Sequence, residues 1–279
     1  MKKMYEAEQE KTKALEKKNQ ELENQLAEAK KLKGSQCSAS GNKYERQIHS
    51  IVTRATINGK LFNTQKAEEL AGSSSKNDLE CDYNGDQNIG IEAKKSGTPD
   101  WMQCSIKYDE ATQQWKPSIK GKTPASCREM FTEIINGLTI FNGKVPPFMK
   151  HPLTHAEWLD EKSKTTDWDD IYLDIPSDTI AKLYTTKGCK YIQISDGYGL
   201  FHLGNDVCNF GVPLFNTAQQ LRIRTKIHTR KNKKGFCSLS VMIACQPANL
   251  KNIMPSPYSL DDKDKLPANL VYSNTNASQ

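Results

Sequence analysis

The sequence feature that most constrains the fold is a predicted β-hairpin in the first third of the chain. Between residues 79 and 83 apolar and acidic side chains alternate, and this period of two is typical of a half-buried strand. Asn84-Gly85 follows, a dipeptide that favours tight hairpin turns. Ile89–Lys95 then predicts the returning strand, so we expect the chain to build a β-sheet around this hairpin.

Periodicity and breaker residues predict the other elements of the chain. Helices are expected over 43–55, 64–71, 126–135 and 177–187, the last one capped by Ser177 and ended by Gly188. Strands are expected over 103–109, 113–119, 189–195, 198–203, 220–229 and 236–246. The last of these strands is apolar, so it is expected to lie centrally in its sheet.

Two segments differ in composition from the rest of the chain. Residues 140–176 combine prolines with an acidic run, which predicts an irregular insertion, although a capping box from Thr154 to Glu157 opens a short helix within it. Residues 251–279 are polar and are expected to follow the surface. The expected main domain covers 43–250, with a core motif at 43–120 and a β-rich part at 177–250.

Residues 1–33 predict one long helix, because neither glycine nor proline interrupts a segment rich in good helix formers. Two sets of positions repeat every seven residues, as in a coiled coil: Leu15, Leu22 and Ala29 in one seam, and Tyr5, Thr12, Asn19 and Leu26 in the other. We expect a homodimer through residues 5–33, with a solvated single helix or a frayed tail as the alternative. Residues 34–42, rich in glycine and serine, are expected to be a linker.

Composition restricts the classes of function. No apolar run approaches the length of a membrane span, and the basic N-terminus lacks the apolar core of a secretory signal, so we expect an intracellular protein without membrane contact. The eight cysteines include no C-x-x-C pair and are expected to be reduced thiols. The formal net charge of +6 permits a polyanionic partner without requiring one.

Charged side chains are expected to meet at the predicted hairpin. Glu92 and Lys94 lie two residues apart on the returning strand and therefore face the same side, while Asp78 precedes the first strand. Paired carboxylates bind hard cations such as Mg²⁺ or Mn²⁺, which polarise a phosphoryl oxygen and lower the pKa of bound water. A neighbouring lysine can orient or deprotonate that water, so the pattern favours phosphodiester hydrolysis. Glu80 and Asp82 share the face of Asp78, and either could replace it as the acid.

Asp78 and Glu92-x-Lys94, joined by a hairpin, resemble the motif of the PD-(D/E)xK nuclease superfamily, which includes many restriction endonucleases. The resemblance covers roughly residues 41–110 and extends to Glu45, on the helix before the hairpin. It implies an α/β (α+β) fold with a restriction-endonuclease-like mixed β-sheet flanked by helices. The N-terminal coiled-coil helix and the C-terminal strands would be additions to that core.

The resemblance also implies roles for individual residues. Asp78, Glu92 and the Ala93 carbonyl would hold Mg²⁺ or Mn²⁺, Lys94 would activate or orient water, and Glu45 would assist at the metal. By the same resemblance Gln103, on the element after the motif, would match a glutamine often found there. Gln103 and Lys95 are predicted to contact nucleic acid.

A second group of charged side chains lies on the predicted strand 220–229. Basic or potentially basic side chains occupy alternate positions, and apolar or threonine side chains occupy the others. The predicted nucleic-acid contacts are Arg222, Arg224, Lys226, His228 and Arg230. Such a row can follow a phosphate backbone, whereas a solvated strand face usually mixes charges of both signs.

Together these patterns predict a Mg²⁺-dependent, restriction-like DNA endonuclease. An exonuclease or a junction resolvase is an alternative within the same superfamily, and RNA is an alternative substrate. Two other classes stay open. One is a non-catalytic nucleic-acid-binding or virion- or chromatin-associated structural protein, and the other is a coiled-coil scaffold whose globular part binds protein and has no affinity for DNA.

Overall fold

The structure, a computed structural model, describes residues 18, 21–22, 39–67, 70, 77–83, 86–229 and 235–273. The chain divides into two units, Met1–Lys43 and Tyr44–Gln279. In the first unit, residues 18, 21–22 and 39–43 are helical. The rest of the predicted coiled coil, and the Asn84-Gly85 turn, lie outside the described residues. No helix among the described residues is long and apolar enough to cross a membrane.

The described residues form a mixed α/β structure of the α+β kind. The helices are α1 (39–52), α2 (Ala125–Ile135), α3 (His155–Ser163) and α4 (Thr179–Lys187). The strands are β1 (Ala55–Ile57), β2 (Lys60–Leu61), β3 (Leu79–Tyr83), β4 (Asp86–Lys94), β5 (Met102–Asp109), β6 (Gln114–Pro117), β7 (Ile171–Ile175), β8 (Cys189–Ile194), β9 (Gly199–His202), β10 (Gln219–Thr229), β11 (Ser238–Pro247) and β12 (Val271–Tyr272).

The strands form three sheets. Their orders are β12-β1-β2, β6-β5-β11-β10-β7 and β3-β4-β8-β9. In the four-stranded sheet β3 and β4 form the predicted antiparallel hairpin, whereas β8 runs parallel to β4. Parallel neighbours need a crossover connection, and α4 is the last element of that connection. The end of α4 is thereby brought to the hairpin.

Two hydrophobic cores lie within the second unit. In one core, Ile48 and Val52 of α1 belong to the same buried cluster as Leu79 and Ile91, which face each other across the hairpin. The other core joins α2 and α4 to the apolar face of the five-stranded sheet. Burial of these apolar faces explains why segments with weak individual propensities hold their helices and strands.

The predicted strands are confirmed in type, with shifts of one to a few residues at their ends. The apolar strand β11 is the middle strand of the five-stranded sheet, as its composition predicted. The predicted helices at 126–135 and 177–187 correspond to α2 and α4. All seven described cysteines are buried and free, in agreement with the expected reduced thiols.

The prediction of a helix over 64–71 is wrong for residues 64–66, which are not helical. Side chains explain the difference: the Asn63 side chain accepts a hydrogen bond from the Gln65 backbone N–H at 2.8 Å, which closes a local turn. Thr64 donates to Asp82 at 2.9 Å, and the Gln65 side chain accepts from the Glu80 backbone at 3.2 Å. The segment therefore lies along β3 instead of forming a helix.

Helix boundaries also differ from the prediction. The first helix covers 39–52 rather than 43–55, so residues 39–42 are not linker, and Ala55 begins β1. Ser177 does not cap α4: Asp178 is the N-cap, and it makes no side-chain capping bond. Gly188 does end the helix, with φ of 109°, a left-handed conformation that glycine adopts without a steric penalty.

The insertion is more regular than predicted. The capping box from Thr154 to Glu157 is present and opens α3. However, Ile171–Ile175 forms strand β7, which pairs with β10 at the edge of the five-stranded sheet. Acidic residues lie on both sides of this strand, and because of them its short apolar alternation was assigned to the irregular insertion.

The prediction that the C-terminal tail follows the surface is wrong for several residues. Leu260 and Leu270 are buried in the core beneath the hairpin. The Gln193 side chain donates to Ser259 at 2.8 Å and accepts from the Leu260 backbone at 2.9 Å. Val271–Tyr272 pairs with β1. Few apolar residues anchor this segment, and this is why its composition resembled that of a surface tail.

Candidate functional site

Four charged side chains meet where the hairpin and the end of α4 come together. They are Asp78, just before β3, Glu92 and Lys94 on β4, and Lys187 in the last turn of α4. Asp78 and Glu92 are buried, with 7% and 3% of their surface exposed. Two carboxylates and two ammonium groups are thus held together inside the protein.

The three residues of the predicted motif lie in direct contact. Lys94 Nζ is 2.5 Å from Glu92 Oε1 and 3.8 Å from Asp78 Oδ2. The Ala93 backbone N–H donates to Asp78 Oδ2 at 2.9 Å, which fixes that carboxylate against β4. Strand alternation places Glu92 and Lys94 on one face and Ala93 on the other, as predicted.

Lys187 completes the cluster from the side of α4. Its Nζ is 2.7 Å from Glu92 Oε2, and its side chain is only 3% exposed. The ring of Tyr184, one turn earlier in the helix, lies beneath both ammonium groups, with centroid distances of 5.5 Å to Lys94 and 5.9 Å to Lys187. The Tyr184 hydroxyl donates to the Trp101 carbonyl at 2.7 Å and so fixes the ring.

The two carboxylates have opposite pKa shifts. Burial, followed by the negative charge of Glu92, raises the pKa of Asp78 to about 7. Burial also opposes ionisation of Glu92, but Lys94 and Lys187 together outweigh it and hold the pKa of Glu92 below its ordinary value. Burial works against the charged form of Lys94 as well, and Glu92 overcomes it, so that the pKa of Lys94 is raised.

Glu45 lies on α1, in the part of the helix that belongs to the second unit, and is half-buried. The pKa of Glu45 is raised: burial is the largest cause, the positive charge of Lys94 opposes it, and the negative charge of Glu92 adds to it. Glu45 therefore interacts electrostatically with the cluster. Among the described site residues it has no hydrogen-bond or ion-pair partner. Glu45 is therefore a neighbour of the cluster and not part of its hydrogen-bonded centre.

The structure also distinguishes between the three acids that share one face in the sequence. Asp78 contacts β4, whereas Glu80 is exposed and Asp82 accepts a hydrogen bond from Thr64. A register shift between Cys81 and Asp82 interrupts the hairpin at this point. Asp78 is therefore the acid of the cluster.

Close packing of the backbone brings the hairpin and α4 together. A Cβ atom at Gly90 would lie 2.7 Å from the Gly188 carbonyl oxygen and 2.5 Å from Asn77 Nδ2, so only glycine fits there. The side-chain Oδ1 of Asn77 accepts a hydrogen bond from the Cys189 thiol at 3.2 Å. The same thiol is 3.7 Å from Glu92 Oε2. Asn77, Gly90 and Cys189 therefore set the spacing on which the cluster depends.

The oxygen donors of the cluster fit Mg²⁺ or Mn²⁺ in chemical kind, since both ions prefer carboxylate and carbonyl ligands. Asp78, Glu92 and the Ala93 carbonyl could hold such an ion together with water. Within the described ranges, no group of three or more His, Cys, Asp or Glu side chains is placed to hold a metal ion. Both oxygens of Glu92 already pair with lysines, so an ion would have to share Glu92 with them.

The predicted basic strand is β10, and its side chains alternate as expected, with Leu221 and Ile223 fully buried. Arg222 contacts Asp170 at 2.5 Å and Asp100 at 3.2 Å. Arg224 also pairs with Asp100.

Beyond these arginines, burial lowers the pKa values of Lys226 and His228. The His228 ring lies 2.7 Å from the Ser240 hydroxyl, and Arg230 is outside the described residues. Because acids neutralise the two arginines, β10 has less free positive charge than its sequence indicated.

The other two predicted nucleic-acid contacts are Lys95 and Gln103. Lys95 follows β4 directly and is half-buried. Gln103 lies on β5, where its side chain donates to the Asp100 carbonyl at 3.1 Å. Asp100 belongs to the segment between β4 and β5 and also binds the arginines of β10, so this segment connects the site to the five-stranded sheet.

Sequence reasoning missed Lys187 and Tyr184. The helix that carries them and the strand after it were predicted, but the parallel pairing of that strand with β4 was not. A helix followed directly by a strand is the signal that could have suggested a crossover to the hairpin. That crossover would have pointed to the last turn of α4.

Comparisons with protein-family models, with curated proteins and with solved structures found no match for this chain. The site is therefore interpreted from its own geometry.

Proposed function

We propose that this protein is a metal-dependent endonuclease that hydrolyses phosphodiester bonds in DNA in the manner of restriction-like PD-(D/E)xK enzymes. The observation that carries the proposal is the contact between Asp78, Glu92 and Lys94, in which the two carboxylates are buried and the lysine side chain is 17% exposed. The order of α1, the hairpin, α4 and the parallel strand β8 also supports a restriction-endonuclease-like core.

In this proposal the protein supplies orientation and charge. Glu92 holds the ammonium group of Lys94 beside Asp78, where it can orient the attacking water and offset negative charge in the transition state. Because its raised pKa keeps Lys94 charged, the lysine does not deprotonate the water in this arrangement. Glu45 assists from α1. Asp78, Glu92 and the Ala93 carbonyl would hold a metal ion, which when bound would polarise the phosphoryl oxygen and lower the pKa of a water.

The proposed DNA contacts are Lys226 and His228, the basic side chains of β10 that follow the two acid-paired arginines, together with Lys95 and Gln103. Pairing of two protomers through residues 5–33 remains part of the proposal, because two sites related by a two-fold axis suit cleavage of both strands of a duplex.

One observation favours a second candidate, a non-catalytic nucleic-acid-binding protein. The cluster contains two carboxylates and two lysines, so its charges balance without any metal ion when Asp78 is ionised. Under this alternative the four side chains would form a buried ion-pair network that only connects the hairpin to α4.

The test is cleavage of circular plasmid and linear DNA, and of RNA, with Mg²⁺ or Mn²⁺. We compare wild type with Lys94→Met and with Lys190→Met, in which the substituted lysine is exposed on β8. We expect wild type and Lys190→Met to cleave the circular plasmid in a metal-dependent reaction. Lys94→Met should not cleave it. Loss of a general acid–base or water-orienting group typically costs about 10²–10⁴-fold in rate.

Other outcomes contradict the proposal in defined ways. Cleavage of linear DNA alone would indicate an exonuclease, and cleavage of RNA alone would change the substrate. Equal cleavage by wild type and Lys94→Met would show that the cluster does not take part in catalysis. No cleavage of any substrate, combined with DNA binding that weakens steeply with salt, would establish the non-catalytic alternative.

A further inference from the structure

Lys187 places a second positive charge, in addition to that of Lys94, at the candidate site. Its ammonium group lies 2.7 Å from Glu92 Oε2, while Lys94 lies at Oε1. The side chains of Lys187 and Glu92 are 3% and 4% exposed, so water and salt screen their attraction weakly.

The surroundings hold Lys187 in place. The preceding turn of α4 supplies the Tyr184 ring below its ammonium group, at 5.9 Å from the centroid. Gly188 ends the helix immediately afterwards, and its carbonyl oxygen packs against Gly90 of β4. These contacts fix the backbone at the end of α4, and the buried ion pair with Glu92 orders the side chain of Lys187.

A metal ion at Asp78 and Glu92 would meet this fixed positive charge. The ion and the ammonium group would share one carboxylate and would therefore repel each other at short range. Lys94 has a different position, since it contacts both carboxylates and is 17% exposed, in contrast to the almost fully buried Lys187.

We propose that Lys187 is a built-in cation of the site: it occupies one oxygen of Glu92, keeps that carboxylate in place before metal binds, and weakens the binding of a divalent ion. This inference rests on the proposed metal-dependent function. It makes Lys187 a positioning residue that sets the metal affinity, and it separates its role from that of Lys94.

The test is Mn²⁺ binding to the full-length protein, measured by isothermal titration calorimetry and by electron paramagnetic resonance without any substrate. Lys187→Met should bind Mn²⁺ at least about tenfold more tightly than wild type, because a unit charge about 5 Å from a divalent ion opposes binding by that factor even at the dielectric constant of water. Mn²⁺ should also raise the melting temperature of Lys187→Met more than that of wild type. A lysine with only a structural role would leave both quantities unchanged.

Three further variants make the result specific. Lys187→Gln is a second neutral variant, in case Lys187→Met fails to fold, and it should also bind Mn²⁺ more tightly. Lys187→Arg keeps the charge and should bind as wild type does. Lys182→Met, on the exposed face of the same helix, should likewise match wild type.

Failure of this inference differs from failure of the proposed function. Neutral variants at position 187 that bind Mn²⁺ with wild-type or weaker affinity would overturn the inference, provided that Glu92→Gln abolishes binding. If Glu92→Gln binds Mn²⁺ as wild type does, the ion does not occupy this site, and both the metal site and the inference are wrong.

Discussion

Replacing Asp78 with Asn should remove a large pH dependence from the stability of the protein. Asn has the same shape, and its side-chain oxygen can still accept the hydrogen bond from the Ala93 backbone N–H, which is 2.9 Å long in the wild type. The substitution therefore removes the ionisable group with little change in packing. It resembles Asp78 in its protonated form, which burial and the nearby Glu92 charge favour.

The magnitude follows from the pKa of Asp78, which rises from the ordinary 3.8 to about 7 on folding. Between these two values the folded protein binds a proton that the unfolded chain does not bind. This contribution to the free energy of unfolding is fully present below pH 3.8 and is lost as the pH rises through about 7. The total loss is about 4 kcal/mol, a large part of the stability of an ordinary domain.

The assay is urea denaturation from pH 4 to pH 9 in the presence of a chelator, followed by tryptophan fluorescence. Subtracting the free energy of unfolding of wild type from that of Asp78→Asn cancels the titration of other groups. The difference should rise by about 4 kcal/mol across this range in favour of the variant. Glu80→Gln, which replaces an exposed carboxylate two residues further along the chain on β3, controls for the loss of one charge. A difference that stays constant within about 1 kcal/mol would refute the reasoning, since one pKa unit already corresponds to more than that.

Two further variants test the packing around the site. Leu260→Ala should lower the free energy of unfolding by about 2–5 kcal/mol, because the side chain is fully buried, while Leu214→Ala, which is 49% exposed, should change it far less in the same urea assay. Gly90→Ala should lower the melting temperature and cost about 1–3 kcal/mol, because its Cβ would lie 2.7 Å from the Gly188 carbonyl oxygen. Gly204→Ala, where a Cβ meets open space, is the matched control, and equal melting temperatures for the two glycine variants would contradict the close approach of α4 and β4.

Local pattern was sufficient for the hairpin and for the three motif residues. Alternation of apolar and charged side chains fixes the faces of β3 and β4, and it places Glu92 and Lys94 together without any knowledge of the rest of the chain. The choice of Asp78 over Glu80 and Asp82 was beyond the sequence, because it depends on a register shift and on a bond from Thr64.

The fourth charge of the cluster depends on contacts between distant parts of the chain. Lys187 reaches Glu92 only because β8 runs parallel to β4, a pairing that neither segment specifies alone. The same limit applies to β10. Its alternation was readable, but Asp100 and Asp170, which neutralise Arg222 and Arg224, come from separate connections.

The C-terminal segment shows a third kind of limit. Two buried leucines and a few hydrogen bonds to Gln193 hold it against the core, and its remaining residues are polar. Average composition describes such a segment as a surface tail, because only a minority of its side chains carry the packing energy.

The energetics of the buried charges bear on the choice between an enzyme and an ion-pair network. Ion pairs taken out of water gain little net stability, and apolar side chains of similar size often serve equally well or better. A cluster that includes Asp78, whose ionised form burial disfavours, is therefore poorly explained by stability alone. If Asp78→Asn is more stable than wild type at pH 8 and has also lost metal binding, the buried carboxylate lowers stability and is needed for the metal site, which is the expectation for a functional site and not for a structural ion-pair network.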